Sequence, residues 1–179
     1  MQVSTTELPG CLVIEPRIFG DDRGFFLETY NRQRYHEAGV AVDFVQDNHS
    51  QSRRGTLRGL HYQIDRPQGK LVWAVRGEVF DVAVDLRRSS PTFGKWISVL
   101  LSADNHRQIY VPPGMAHGFY ALSEGAEIIY KCTDTYSPAG ERTIIWNDAT
   151  LAIAWPGSEP LLSTKDARGL AFADAPYFD

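Results

Sequence analysis

The chain has 179 residues, of which 43% are hydrophobic, 22% charged and 12% aromatic. This length fits one domain over residues 1–179, and the composition is that of a folded globular protein, so disorder, collagen and coiled coil are excluded. The net charge of -4 lacks the basic excess of proteins that grip long nucleic acid, although a small anionic ligand needs only a local basic pocket. No apolar run approaches the length of a spanning helix, and residues 1–9 lack the regions of a secretory signal. We therefore expect a soluble, cytoplasmic protein.

Along the chain, short apolar runs rich in Val, Ile and aromatic residues are interrupted about every eight to twelve residues by Gly, Pro, Asn or Asp, which predicts an all-β fold. One short helix is predicted near the N-terminus, with Asn31 as its N-cap, residues 32–38 as its body and Gly39 as its end. A weaker helical turn is predicted at 164–168. The predicted strands are 12–16, 25–30, 44–48, 56–63, 70–76, 78–86, 95–102, 108–111, 117–122, 127–136, 143–147 and 151–155.

The most regular pattern lies in residues 79–86, where apolar side chains alternate with Asp81, Ala83 and Asp85. We expect one face of this strand to be core and the other to be wet or to line a cavity. Gly77 before it is predicted to form a tight hairpin with a positive φ. About twelve strands with no repeat favour a closed β-barrel or a double-sheet jelly roll, because closure or stacking removes exposed edges.

The two cysteines, Cys11 and Cys132, lie far apart in the chain and in no metal-like spacing. We expect both to be reduced, partly buried thiols.

Two polar segments interrupt otherwise apolar strands, at residues 46–50 and 58–63. The first has the composition of a turn as well as that of a site lining. In the second, His61 is either a satisfied core histidine or a site residue, and Arg58 favours the site because a buried guanidinium needs an anionic partner. Strict alternation puts Arg58 and His61 on opposite faces, so a shared site requires a bulge, which Gly59 permits.

A second histidine, His117, follows a Pro-x-Gly turn in a spacing that resembles half of the cupin signature. The other half supplies two histidines one residue apart and a glutamate in metal-binding cupins. Here Gln63 stands in the position of the second histidine after His61, and Pro67 or Gln68 stands in the glutamate position. The metal site is therefore incomplete, and we expect a cupin barrel without a metal.

The chain has no glycine-rich nucleotide loop and no nucleophile elbow, which leaves acid–base chemistry by side chains. Histidine is the natural base near neutral pH. Tyr130 and Tyr136 share a strand face and are either phenols offered to a cavity or aromatic packing. Lys165 and Asp166 place a cation beside an anion, a pair that is most simply solvated surface charge.

Several motifs in order along nearly the whole chain resemble the dTDP-4-dehydrorhamnose 3,5-epimerase family. They include Phe19-x-Asp21-x-Arg23-Gly24-x-Phe26-x-Glu28, Gln46-Asp47-Asn48-x-Ser50, Leu57-Arg58-Gly59-Leu60-His61-x-Gln63, Gly69-Lys70-Leu71-Val72, the run from Val82 to Gly94, Tyr130-Lys131, Trp146-Asn147-Asp148 and Lys165-Asp166.

The resemblance implies a cupin-type jelly roll that forms a homodimer and uses no cofactor or metal. It also implies a dTDP-linked 4-keto-6-deoxyhexose as substrate, inverted at C3 and C5 on the way to dTDP-L-rhamnose. In the family, part of the N-terminal segment crosses to the neighbouring subunit. The matched positions do not separate double epimerases from relatives that invert only C3 or only C5.

The resemblance also implies roles for individual residues. His61 matches the base, Asp166 the carboxylate that orients it, Tyr130 the proton donor on the opposite ring face, and Lys70 the residue near O4 of the sugar. Arg23, Arg58 and Lys165 match diphosphate partners. The remaining matches are Phe19, Phe26 and Tyr136 as candidates for stacking on thymine, and Glu28, Gln46, Asn48, His117 and Glu141 as substrate contacts.

Two other classes of function compete with this expectation: a metal-dependent cupin oxygenase or isomerase, and a sugar-binding module without chemistry. Bound metal in the purified protein distinguishes the first. A binding module needs no base, so it predicts that His61→Asn leaves function intact.

Overall fold

A computed structural model describes all residues from Met1 to Asp179 and contains thirteen strands and one α-helix. The all-β fold with one short helix is as predicted. The helix α1 spans Arg32–Glu37. The strands are β1 (Gln2–Thr5), β2 (Leu12–Glu15), β3 (Ile18–Asp21), β4 (Gly24–Leu27), β5 (Gln46–Ser52), β6 (Leu57–Gln63), β7 (Lys70–Arg76), β8 (Glu78–Asp85), β9 (Trp96–Ser102), β10 (Gln108–Val111), β11 (Met115–Ala121), β12 (Ala126–Cys132) and β13 (Glu141–Thr143).

Two antiparallel sheets face one another in a jelly-roll arrangement. The first has six strands in the order β1-β2-β10-β7-β12-β5, and the second has five in the order β13-β6-β11-β8-β9. Between them lies an apolar cluster that takes Val72 and Ile128 from the first sheet and Ala83 and Phe119 from the second. The strands β3 and β4 pair only with each other and form a separate hairpin.

Local signals in the sequence have the predicted structural effect. The Asn31 side chain accepts a hydrogen bond from the backbone N–H of Arg34 at 3.2 Å, which makes it the N-cap of α1. Gly39 follows the helix with φ +98°, and Gly77 turns the chain between β7 and β8 with φ +65°. Asp166–Arg168 form a 3₁₀ turn within the predicted helical segment. Cys11 and Cys132 are both free and buried, as expected.

The prediction that one face of β8 is wet or lines a cavity is wrong, because both faces of this strand are buried. Ala83 packs in the cluster between the sheets, whereas Val82 and Val84 pack in a second cluster on the outer side of the five-stranded sheet. Residues of the C-terminal segment, including Phe172, cover that outer side. Asp81 is completely buried on the inner side.

Several parts of the fold differ from the predicted elements. The predicted strand 143–147 overlaps β13 only at Thr143, and the predicted strand 127–136 ends at Cys132, so Tyr136 lies beyond β12 and does not share a strand with Tyr130. The segment 151–155 is not a strand, because the Asp148 carboxylate accepts the backbone N–H groups of Thr150 and Leu151 and curls the chain, and Ala152 has φ +46°. The strands β1 and β3 were not predicted, since β1 is mostly polar at a sheet edge and β3 is exposed and contains glycine.

No helix of the chain is both long and apolar enough to span a bilayer.

Candidate active site

A cavity of about 240 Å³ opens between the two sheets at the end where β5, β6, β7, β12 and β13 come together. It is smaller than an apolar cavity of about 490 Å³ beside the β3–β4 hairpin, but it holds the greater number of titratable side chains. Seven of the residues predicted for the site line it: Gln46, Asn48, His61, Lys70, Tyr130, Tyr136 and Glu141.

A bulge in β6 sets the position of His61. Across β6 and β11, His61 lies opposite His117 and Arg58 lies opposite Phe119, so three steps along β6 match two along β11. Gly59 makes the irregularity possible, because it has φ +137°. The bulge that a common site for Arg58 and His61 requires is therefore present.

His61 is paired with Asp166 from the C-terminal segment. Its Nε2 lies 2.5 Å from Asp166 Oδ1, and the carboxylate is almost completely buried. Ser163 donates from its hydroxyl to the other carboxylate oxygen at 2.7 Å and accepts the backbone N–H of Asp166 at 3.1 Å. Because the ionised Asp166 can only accept hydrogen bonds, the imidazole carries its proton on Nε2, which leaves Nδ1 free to accept a proton.

Burial lowers the pKa of His61 below its ordinary value, although the hydrogen bond and the charge of Asp166 act in the opposite direction. Burial is the largest single influence on Asp166 and disfavours its ionisation, but the hydrogen bond and charge of His61, the hydrogen bond from Ser163 and the charge of Lys165 together outweigh it and lower the pKa of that carboxyl. The pair at neutral pH is thus a neutral imidazole held by a carboxylate, which is the form of a general base.

The six-stranded sheet contributes Tyr130 and Lys70 to the opposite wall of the cavity. Burial raises the pKa of Tyr130, and the nearby charge of Arg58 opposes this only in part, so the phenol keeps its proton at neutral pH. Burial lowers the pKa of Lys70, which makes its ammonium a stronger hydrogen-bond donor. Cys132, which the sequence did not mark as a site residue, lies beside them and accepts a hydrogen bond from Asn48 at 3.6 Å.

At the rim of the cavity, Glu141 is held by two partners. Tyr136 donates its hydroxyl to one carboxylate oxygen at 2.9 Å, and Lys165 donates to the other at 2.7 Å. Burial raises the pKa of Glu141, but these two bonds together with the charges of Lys165 and His61 outweigh it, and the pKa falls below its ordinary value. Lys165 and Asp166 are thus engaged on the site rather than free in solvent.

Two predicted residues lie next to the cavity with partners of their own. Arg58 donates to Ser52 Oγ and to the Gln51 carbonyl, both at 3.0 Å. His117 Nε2 lies 2.9 Å from each carboxylate oxygen of the buried Asp81. Asp81 was therefore missed as a second carboxylate that orients a histidine.

Four predicted residues lie away from the cavity. Phe19, Arg23 and Phe26 lie on the β3–β4 hairpin, where Arg23 pairs with Asp21 at 2.5 Å in solvent. Glu28 follows the hairpin and pairs with Arg34 at 3.1 Å.

The residues of the incomplete cupin signature serve other purposes. The amide of Gln63 donates to the carbonyls of Arg66 and Thr135 and accepts the backbone N–H of Ser137, so it fixes loops. His61 and His117 are each bound to an aspartate. No group of three or more His, Cys, Asp or Glu side chains is arranged to hold a metal ion.

The missed residue with the clearest sequence signal is Ser163. A serine three residues before an acidic residue is a common pattern at the start of a helical turn. Asp81 and Cys132 carry no such signal, because their roles depend on which strands become neighbours.

The geometry places a neutral imidazole on one sheet and a protonated phenol and an ammonium on the other, around a cavity of about 240 Å³. Such an arrangement can remove a proton from one face of a ring and deliver one to the other face.

Comparisons with known proteins agree with this chemistry. The family description "dTDP-4-dehydrorhamnose 3,5-epimerase" matches residues 5–174. The chain is 59% identical over 180 residues to the dTDP-4-dehydrorhamnose 3,5-epimerase of Pseudomonas aeruginosa, with 99% of each chain covered, and 57% identical to that of Shigella flexneri, also with 99% of each covered. A solved dTDP-6-deoxy-D-glucose-3,5-epimerase from Legionella pneumophila, in complex with dTDP-4-keto-L-rhamnose, superimposes with a TM-score of 0.95 at 50% identity, covering 98% of this chain and 94% of that one. The chain belongs to the dTDP-4-dehydrorhamnose 3,5-epimerase family.

Proposed function

We propose that the protein converts dTDP-4-dehydro-6-deoxy-D-glucose to dTDP-4-dehydro-L-rhamnose by inverting C3 and C5, as a step of dTDP-L-rhamnose biosynthesis. Membership of the family and the identity to relatives that carry this activity in their names support the overall reaction. The observation that carries the mechanism is the meeting of the His61–Asp166 pair with Tyr130 at one cavity, from opposite sheets.

In the proposed reaction, His61 Nδ1 takes the proton from the carbon next to the C4 ketone. The electron pair of that C–H bond moves into an enolate, whose oxygen accepts a hydrogen bond from Lys70. Tyr130 then gives its phenolic proton to the same carbon from the other face. Exchange with solvent returns a proton to Tyr130 and removes one from His61, and the cycle is repeated at the second carbon.

The low pKa of His61 and the raised pKa of Tyr130 support these assignments, because each group rests in the protonation state its role demands. We propose that Asp166 and Ser163 hold the imidazole in the required tautomer. Gln46, Asn48, His117 and Glu141 are proposed to contact the substrate. Arg58 and Lys165 are proposed to bind the diphosphate, and Tyr136, which is half exposed at the rim, to stack on the thymine.

We also propose a homodimer in which the β3–β4 hairpin reaches the cavity of the partner subunit. Within its own chain the hairpin exposes Phe19, Phe25 and Phe26 to between 51% and 69%, an unusual apolar exposure for a short ribbon. Phe19, Arg23, Phe26 and Glu28 would then complete the partner's nucleotide site. A cytoplasmic location is proposed as well, which agrees with two buried cysteines that remain free.

The deciding experiment incubates metal-stripped protein with dTDP-4-dehydro-6-deoxy-D-glucose in D₂O and follows C3 and C5 by NMR. We expect deuterium at both carbons. Deuterium at one carbon would make the protein a single-site epimerase, and retention of protium at both would contradict the proposed reaction.

His61→Asn is the matched control for the base. The variant removes the proton acceptor but keeps a polar side chain of similar reach, so it should stop exchange at both carbons while dTDP binds with nearly unchanged affinity. Exchange at the wild-type rate in this variant would refute the assignment of His61 as base and would favour a module that binds sugars without chemistry.

A further inference from the structure

The hydroxyl of Ser50 is a buried polar group that lacks a hydrogen-bond partner in the protein. It is the only side-chain oxygen or nitrogen in the chain that is both buried and unpaired. An unpaired buried hydroxyl costs free energy, so such groups are rare in folded proteins and call for an explanation.

The position of Ser50 relates it to the candidate active site. In β5 the side chains of Gln46, Asn48, Ser50 and Ser52 alternate with exposed residues and therefore share the inner face of the strand. Asn48 lines the cavity, and Ser52 accepts the hydrogen bond from Arg58. Ser50 thus stands midway between the sugar cavity and the guanidinium proposed to bind the diphosphate.

This spacing indicates which part of a nucleotide sugar Ser50 would meet. Alternate residues of a strand lie roughly 7 Å apart. The group that joins the sugar ring beside Asn48 to the anion beside Arg58 is the phosphate that carries the sugar. A serine hydroxyl turns between staggered rotamers without movement of the backbone, so it can direct its proton to an oxygen of that phosphate.

We propose that Ser50 is a substrate-binding residue whose hydroxyl donates to the β-phosphate of the dTDP-sugar. This inference rests on the proposed function. No group of the protein pairs with this hydroxyl, and in the proposed complex the phosphate supplies its partner. The Ser50 hydroxyl therefore contributes to the affinity for the ligand and adds nothing to the stability of the free protein.

Ser50→Ala gives two measurements that move in opposite directions. Loss of a hydrogen bond to a charged group should weaken dTDP binding by roughly ten- to a hundredfold and raise KM for the dTDP-sugar in parallel. The melting temperature of the free variant should stay the same or rise, because an unpaired buried hydroxyl has been removed. Affinity for dTMP, which has no β-phosphate, should not change.

His49→Ala is the control on the same strand. His49 points outward, where it pairs with Glu127, and its loss should leave the affinity for dTDP unchanged. Unchanged dTDP affinity in Ser50→Ala, equal weakening for dTMP and dTDP, or a fall in melting temperature would each overturn the proposal. Failure of the wild-type protein to bind dTDP or to exchange deuterium would instead contradict the proposed function.

Discussion

Asp166 holds His61 across 105 residues of chain, with 2.5 Å between the carboxylate oxygen and the imidazole nitrogen. The strand β6 supplies the imidazole, whereas a turn near the C-terminal end supplies its carboxylate partner. Ser163 occupies the second oxygen of the same carboxylate. The tautomer of the imidazole is thus set by a segment outside both sheets.

The His61–Asp166 pair predicts a pH profile. Because the pKa of His61 lies below its ordinary value of 6.5, kcat/KM should stay level near neutral pH and fall only below pH 6.5. Asp166→Asn removes a charge that raises this pKa, so the fall should move to still lower pH. It should also reduce kcat by roughly 10⁴, the scale observed when a histidine loses its orienting carboxylate.

The measurement is kcat/KM from pH 5 to 9 for both proteins. Ser163→Ala is the matched comparison, because it keeps the charge of Asp166 and should leave the fall close to its wild-type pH while lowering kcat more modestly. A fall that moves upward in Asp166→Asn would contradict the assignment.

Tyr130→Phe tests the proton donor. The substitution removes one hydroxyl and keeps the ring, so inversion should slow by roughly 10² to 10⁴, the usual contribution of a general acid. Exchange of the C3 and C5 protons with solvent should persist, because His61 can remove a proton and return one to the same face. NMR in D₂O separates the two rates, and an equal loss of both would mean that Tyr130 only positions the substrate.

Mixed dimers test whether the β3–β4 hairpin completes the partner's site. Neither His61→Asn nor Arg23→Ala should be active by itself, but mixing them places one intact base opposite one intact hairpin. Random exchange of subunits in a two-fold dimer should restore about a quarter of the wild-type activity. Activity no greater than the sum of the separate variants would show that each chain works with its own hairpin.

Asp85 predicts the acid stability of the fold. It is completely buried, and although burial opposes its ionisation, hydrogen bonds from Arg87, Ser90 and Thr92 lower its pKa to about 2. A carboxyl with a depressed pKa stabilises the fold above its unfolded value of 3.8, and this stability is lost as the pH falls towards 2.

Asp85→Asn should therefore lower the free energy of unfolding at pH 7 by roughly 3 kcal/mol, because it leaves the Arg87 charge without its partner. The difference from wild type should shrink as the pH approaches 2. Urea unfolding at several pH values measures both effects. Asp47→Asn breaks an exposed pair with Lys131 and should cost less than about 1 kcal/mol, and an equal cost for both variants would refute the role of Asp85.

Local signals were sufficient for much of the fold. The Asn31 cap and the positive φ of Gly77 depend on neighbouring residues and could be recognised without a structure. The alternation of residues 79–86 was sufficient to predict the strand β8 but not the burial of both its faces. Residues 151–155 were wrongly predicted to form a strand because their apolar side chains follow a pattern typical of strands. They pack against the outer side of a sheet without joining its hydrogen bonds, since Asp148 captures the backbone N–H groups.

Less of the candidate site could be predicted from local sequence patterns. Pattern alone left His61 open as a core residue and made Lys165 and Asp166 surface charges, and only the family resemblance connected them. Spacing in sequence says nothing about a contact between β6 and a turn 105 residues later. The unpaired hydroxyl of Ser50 could not be predicted either, because it depends on the positions of all the neighbouring polar groups, none of which forms a hydrogen bond with it.

The bulge beside His61 limits how this site can change. A Cβ on Gly59 would lie 2.6 Å from the Cα of Gly118, and a Cβ on Gly118 would lie 2.8 Å from the Arg58 carbonyl oxygen. A side chain at either glycine would force the backbone of the neighbouring strand to shift, and replacing one glycine does not make room at the other. For evolution, a single substitution at either position therefore disturbs the bend that places His61. For protein design it means that moving this acid–base pair to another barrel requires both glycines along with the polar residues.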